Sequence, residues 1–308
     1  VKKTDITFFF LSSAVIMIAL LSGIKQAAQL EIVQIRLDSI QEIIPVEDSL
    51  VIPVLYDTLL IDRMATVSER KKQFIDQVLP AILIVRFQME NKGKHIERLI
   101  NKIERNEALN DKESRFADSL MTRFRADSYE NLLVRLKPHP TSLVLAQAAV
   151  ESGWGQSRFA IEGNNLFGVW TSSCDKNVIK SRYDRDDQQI FLKRYNNVAE
   201  SIDHYFLTIG RHNAYRKFRQ ERFKEADVIQ LIEALDRYSE NGEVYTLLLK
   251  KVIDWNQLEK YDNYSIDPEY ITSQTLLNYY FEKVIQYGHA FIEKDTTNFI
   301  CNEVVTEN

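Results

Sequence analysis

The sequence predicts an α+β fold that is mostly helical, with a small β-hairpin lobe beside a cleft. Three observations carry that expectation. Apolar residues recur at three- and four-residue spacing through most of the chain from Val67 onward. One segment, from Thr141 to Ser152, is apolar nearly all round, which marks a helix at the centre of a domain. A single stretch, 177–195, changes to strand-like composition about an acidic turn. The 308 residues are 45% hydrophobic and 11% aromatic, enough for one large domain with appendages. The formal net charge is -5 and no basic stripe occurs, so no nucleic-acid partner is expected.

The chain opens with Lys2 and Lys3 before an apolar run from Ile6 to Ile24. At about 19 residues the run approaches the ~20 that span a bilayer and exceeds the roughly 7–15 of a signal-peptide core. No Ala-x-Ala site follows, so residues 1–27 read as an uncleaved signal anchor in preference to a cleaved signal. The lysines orient the N-terminus to the cytoplasm and the rest of the chain across the membrane. Residues 28–64 hold Pro45, Pro53 and short β-branched runs and are expected to be a membrane-proximal linker, partly ordered.

A catalytic unit is expected over residues 65–256. Phe74, Ile75, Val78, Leu79, Ile82 and Leu83 mark a first helix, kinked at Pro80. Ile96, Leu99, Ile100 and Ile103 mark a second; Phe116, Leu120 and Phe124 a third; Tyr129, Leu132, Leu133 and Leu136 a short fourth. After the break at Lys137-Pro138-His139-Pro140, Thr141 or Ser142 is the expected N-cap of the central helix, and Gly153 stops it. Asn177 to Tyr183 and Gln189 to Tyr195 read as strands joined by Asp184-Arg185-Asp186-Asp187. Helical spacing returns at Val198 to Ile209, over Lys224 to Tyr238, and from Val244 to Trp255 after an Asn241-Gly242 turn. Residues 257–308 form an extension, amphipathic from Leu276 to Ile292. Cys174 and Cys301 lack any zinc-ligand spacing; they read as one disulfide or as two unrelated thiols, and neither metal nor cofactor is expected.

The chemistry centres on Glu151. Apolar helix surface desolvates its carboxylate, and the negative end of the helix dipole disfavours its charge; both hold the proton near neutral pH, as a general acid requires. Trp154, Phe167, Trp170, Tyr195, Tyr238 and Tyr245 fall in the segments expected to surround it, interleaved with Gly153, Gly155, Gly163 and Gly168. Aromatic faces suit the C–H surfaces of sugars, and Asn164 and Asn165 suit their hydroxyls and acetamides. Trp154, Asn164, Asn165, Phe167, Trp170 and Tyr245 are the expected substrate contacts. Glu162, Glu200, Asp203 and His212 read as surface or packing residues, and His204 and His212 do not form a ligand pair.

The run from Pro140 through Ala146-Gln147-Ala148-Ala149-Val150-Glu151-Ser152-Gly153-Trp154-Gly155 to Phe159, followed by Gly163-Asn164-Asn165-Leu166-Phe167-Gly168, resembles the N-acetylglucosaminidases of glycoside hydrolase family 73, and more narrowly the bacterial Bax-type proteins. Glu200-Ser201 with Tyr205, His212 to Arg216, Tyr238 to Tyr245, and Arg70 to Phe74 with Leu79-Pro80 extend the likeness over residues 67–255. The resemblance implies a lysozyme-like fold and hydrolysis of the β-1,4 bond after N-acetylglucosamine in peptidoglycan glycan strands. The catalytic unit would then face the periplasm, or be secreted if the N-terminal segment is cleaved. It places the catalytic acid at Glu151 and a functional tyrosine at Tyr238. Two-carboxylate glycosidases need a partner about 5–5.5 Å or roughly 6.5–9.5 Å away. Where the family carries that partner this chain has Ile190-Phe191-Leu192. Asp184, Asp186 and Asp187 lie near, and Asp187, bordering the returning strand, is the candidate; otherwise the substrate acetamide acts as nucleophile with Tyr238 in support. A muramidase or lytic transglycosylase, and an inactive glycan-binding scaffold, are the competing readings.

Overall fold

A computed structural model of the protein describes residues 29–171, 177–185, 188–239 and 241–272. Asp186, Asp187, Glu240, both cysteines, the apolar run 6–24 and the segment 276–292 lie outside them. Within them the mostly helical α+β class holds. No helix among the described residues is long and apolar enough to cross a membrane.

Helix α1 (Val67–Glu104) is one helix of 38 residues where the sequence predicts two. Thr66 and Glu69 close a reciprocal capping box at its start. Pro80 sits inside it, flanked by the buried Val78, Leu79, Ala81 and Ile82, so packing on both sides carries the helix past the missing N–H. The polar stretch beyond Val85 is rich in Arg, Gln, Glu and Lys, strong helix formers that bridge the gap between two apolar patches. Helices α2 (Asp111–Phe124) and α3 (Tyr129–Leu136) follow as expected.

Helix α4 (Thr141–Ser152) is the core of the molecule: Thr141 to Ala149 are all buried. It packs against α1, against the later helix α9 (Gly242–Trp255) and against a 3-10 segment, Leu258–Asn263. Its N-cap is Pro140, not Thr141 or Ser142. The cap is tertiary: the Asp262 carboxylate accepts from Ser142 N and from Ser142 Oγ, both at 2.7 Å. The short α5 (Arg158–Gly163) comes next.

The hairpin lobe is a three-stranded sheet of β5 (Trp170–Thr171), β6 (Val178–Arg185) and β7 (Gln188–Lys193), in the order β5-β7-β6. Ile179 pairs with Leu192 and both are buried, which pins the lobe's register to the core. Helix α6 (Val198–Arg211) matches expectation. Within 224–238, where one helix is predicted, the short α8 (Val228–Glu233) forms, and α7 (Arg216–Phe223), not predicted, precedes it. Glu225, at φ +63°, breaks the chain between them, and Asp227 with Gln230 forms a new capping box.

Residues 29–64, expected as a linker, pack as short paired strands. Strand β1 (Gln29–Leu30) pairs with β9 (Ile271–Thr272), β3 (Leu50–Val51) with β8 (Ser265–Ile266), and β2 (Val33–Ile35) with β4 (Val54–Tyr56). Gln77 on α1 binds Leu60 both ways, accepting from its N–H at 2.9 Å and donating to its carbonyl at 2.8 Å. Val51, Leu55, Leu59 and Ile61 join the main core.

Candidate active site

The end of α4 builds the site. Gly153, Trp154 and Gly155 all take left-handed φ (59°, 57° and 75°), so the chain reverses sharply within three residues. Such angles favour glycine and strain a tryptophan. The reversal is tied down by the buried Ser152, whose hydroxyl donates to Ala148 O at 2.5 Å and accepts from Gly155 N at 2.8 Å. A Cβ on Gly155 would stand 2.6 Å from Leu59 Cδ2 and 3.0 Å from Phe74 Cδ2. The turn therefore seats directly on α1 and on the segment before it.

Glu151 projects from this last helical turn. The residue is exposed to solvent as a whole, while the groups around its carboxyl desolvate it and raise its pKa above the ordinary 4.5; a hydrogen bond from the Tyr245 hydroxyl opposes the rise. No carboxylate among the described residues contributes to that shift. Four tyrosines, Tyr205, Tyr215, Tyr238 and Tyr245, stand close enough for the Glu151 charge to raise their own pKa, burial being the larger cause for each. Tyr238 stacks on Tyr245 at 5.3 Å and 13°, and Tyr215 lies 6.0 Å from Tyr238.

The predicted site residues differ in where they lie. Tyr238 and Tyr245 line the wall beside Glu151. Trp170, on β5, is 55% exposed, open enough to serve as a sugar platform. Trp154 is half-buried, edge-on to Phe74 at 5.6 Å with Lys71 Nζ 4.8 Å above its ring. Phe167 is buried and stacks on Tyr205 at 4.3 Å. Asn164 and Asn165 depart from the expectation of sugar contact: both are buried and bound to main chain. Asn164 Nδ2 donates to Asp57 O at 2.9 Å and Tyr195 O at 3.2 Å. Asn165 Nδ2 donates to Val169 O and Lys193 O, and its Oδ1 accepts from Val169 N. Burial of a carboxamide requires such partners, and these bonds fasten the lobe to the helical body. Asp187 lies outside the described residues.

Gln147, Tyr205 and Tyr215 were not anticipated at the site. Gln147 had a legible signal, since it is a lone amide inside an otherwise apolar helix, one turn before Glu151. Tyr205 and Tyr215 had only helical spacing and motif neighbours. His204 pairs with the Tyr195 hydroxyl at 2.5 Å, and burial lowers its pKa to about 4.

A family model for glucosaminidases, described as mannosyl-glycoprotein endo-beta-N-acetylglucosaminidase, matches residues 126–277. Protein bax of Escherichia coli (strain K12) is 32% identical over 136 residues, 42% of this chain and 47% of that protein, so the match spans about half of the relative's length. Among solved structures, the catalytic domain of the autolysin Auto from Listeria monocytogenes is similar at a TM-score of 0.35 and 19% identity, over 50% of this chain and 98% of that one. The glycoside hydrolase domain of FlgJ from Salmonella typhimurium is similar at 0.32 and 21%, over 55% of this chain and 98% of that one. A peptidoglycan hydrolase from Sphingomonas sp. A1 gives 0.32 and 20%, over 47% and 92%. Residues 126–277, which hold both the Glu-Ser-Gly-Trp-Gly and the Asn-Asn-Leu-Phe-Gly motifs, match the glucosaminidase family model.

Proposed function

We propose that the protein is a peptidoglycan hydrolase, an endo-β-N-acetylglucosaminidase in which Glu151 is the general acid. The observation that carries this reading is a carboxyl group at the end of a buried helix, set beside four tyrosines and with its pKa raised by desolvation. Glu151 protonates the leaving glycosidic oxygen as the bond to N-acetylglucosamine breaks. The match of residues 126–277 to the glucosaminidase family model supports the sugar, and the printed functions of the similar hydrolases agree with the polymer. Trp170 offers an apolar face for a sugar ring. Asp187 remains the proposed partner carboxylate. The alternative route, attack by the substrate's own acetamide with Tyr238 in support, draws on the lack of any described carboxylate acting on Glu151. An apolar run at 6–24 supports attachment of the enzyme to the membrane with its catalytic part in the periplasm.

Mass spectrometry of purified sacculi digested with the full chain tests the reading. New reducing-end N-acetylglucosamine is expected. Reducing-end or 1,6-anhydro muramic acid would instead identify a muramidase or lytic transglycosylase, and binding without soluble product a scaffold. Glu151→Gln is expected to abolish clearing of cell-wall substrate in a gel while the protein stays folded.

A further inference from the structure

We propose that Gln147 is a positioning residue: its buried amide, held between two tyrosine hydroxyls, directs the proton of Tyr245 onto the Glu151 carboxylate. The inference rests on Glu151 being the acid, and concerns what aims and tunes it.

Gln147 is fully buried in the middle of α4. Its neighbours along the helix are apolar, so its amide costs stability unless both ends are bonded. Both are. Its Oε1 accepts the hydroxyl proton of Tyr205, and its Nε2 donates to the Tyr245 oxygen at 3.0 Å. A carboxamide donates at one end and accepts at the other, whereas a phenol has a single proton. With an N–H facing its oxygen, Tyr245 cannot spend its proton on Gln147. The proton turns to Glu151, four residues on along the same helix face.

Stacking fixes both ends of this relay. Tyr238 lies parallel to Tyr245, and Phe167 lies parallel to Tyr205 at 14°. Neither phenol ring can swing away without breaking a stack. The order Tyr205 to Gln147 to Tyr245 to Glu151 is therefore a directed chain of donors ending on the carboxylate. Such a chain favours the ionised acid and opposes the desolvation that favours the neutral one. When Glu151 gives its proton to the leaving oxygen, the carboxylate left behind accepts the Tyr245 hydrogen bond already aimed at it.

The test compares the wild-type full chain with Gln147→Met, Tyr245→Phe, the double variant and Glu151→Gln. The Glu151 carboxyl is titrated directly by carbon-13 NMR, its signal identified by loss in Glu151→Gln, and kcat is followed against pH on purified sacculi. Tyr245→Phe is expected to move the Glu151 midpoint to higher pH. Gln147→Met should move it the same way, with kcat roughly tenfold lower and KM held, and the double variant should move no further than Tyr245→Phe alone. A midpoint that is unmoved or lowered in Gln147→Met overturns the proposal, as does a double variant whose shift is the sum of the two. A lower Tm with an unmoved midpoint would assign Gln147 to packing alone. If Gln147→Met does not fold, Tyr205→Phe takes its place: the same direction is expected, and an unmoved midpoint overturns the relay. Wild-type activity in Glu151→Gln would defeat the acid assignment instead, and the NMR titration would still decide the relay.

Discussion

Glu151 stands where two environments meet, solvent on one side and a group of phenol rings on the other. Its raised pKa makes a stability prediction with a definite sign. The folded protein holds this proton more tightly than the unfolded chain does. Ionisation above the folded pKa therefore costs stability, and the cost vanishes below the ordinary carboxylate value of 4.5. Glu151→Gln removes the penalty. Its Tm should exceed that of the wild type at pH 8 and converge with it at pH 4, measured by calorimetry. Equal melting at both pH values, or a less stable variant at pH 8, would contradict a desolvated acid. The strain at Trp154, a tryptophan at φ 57°, belongs to the same few residues. The buried Ser152 and the contact of Gly155 with Leu59 hold the turn in a conformation that would otherwise relax.

At the scale of elements, α4 serves as a rigid post for the acid. Ten of its twelve residues are buried, so its position is set by packing on every side. At its N-terminus the N–H of the buried Ser142 is satisfied by Asp262, which lies 120 residues away. A negative charge there also complements the helix dipole. Asp262→Ala should destabilise the protein by about 1–2 kcal/mol, the usual cost of a lost cap. A urea titration would read this as a lower midpoint with an unchanged slope. Since the capped helix carries Glu151 at its other end, activity at 37 °C should fall as well. An unchanged midpoint would show that water replaces the carboxylate without loss. The paired asparagines act at the same scale: they tie the hairpin lobe to the body through main-chain carbonyls, so the lobe and the acid keep one geometry.

For the whole molecule, histidines shielded by burial, His95, His139 and His204, add to the response to acid. His139 is fully buried between aromatic rings, with Arg222 donating to its Nδ1 at 2.7 Å; burial and that cation hold its pKa well below 6.5. His204 is held down to about 4 by burial. Below pH 6.5 the unfolded chain takes up protons that these folded residues refuse, so stability should decline from pH 6.5 down to about 4. A Tm series over that range checks it, and His204→Gln should lessen the slope. A flat Tm from pH 7 to 5 would exclude the effect. Strand pairing contributes to the same global stability: Gln29–Leu30 pairs with Ile271–Thr272 and Leu50–Val51 with Ser265–Ile266.

The sequence by itself determined the periodic helices, the buried character of α4, its stop at Gly153, the hairpin and the position of Glu151. Each of these follows from local pattern: apolar spacing, a left-handed glycine, an acidic turn. The tertiary structure decided what depends on distant partners. Pro80 stays within one long helix because packing on both sides outweighs its missing donor. Within the segment 29–64, two short strands, Gln29–Leu30 and Leu50–Val51, are placed by partners that lie more than 200 residues away in the chain. Asn164 and Asn165 brace a loop because the carbonyls of Asp57, Tyr195 and Lys193 converge on them. The cap of α4 comes from Asp262, and the aim of Tyr245 comes from an amide bonded to Tyr205. Hydrogen-bond partners and packing surfaces are set by three-dimensional proximity, which local periodicity does not encode.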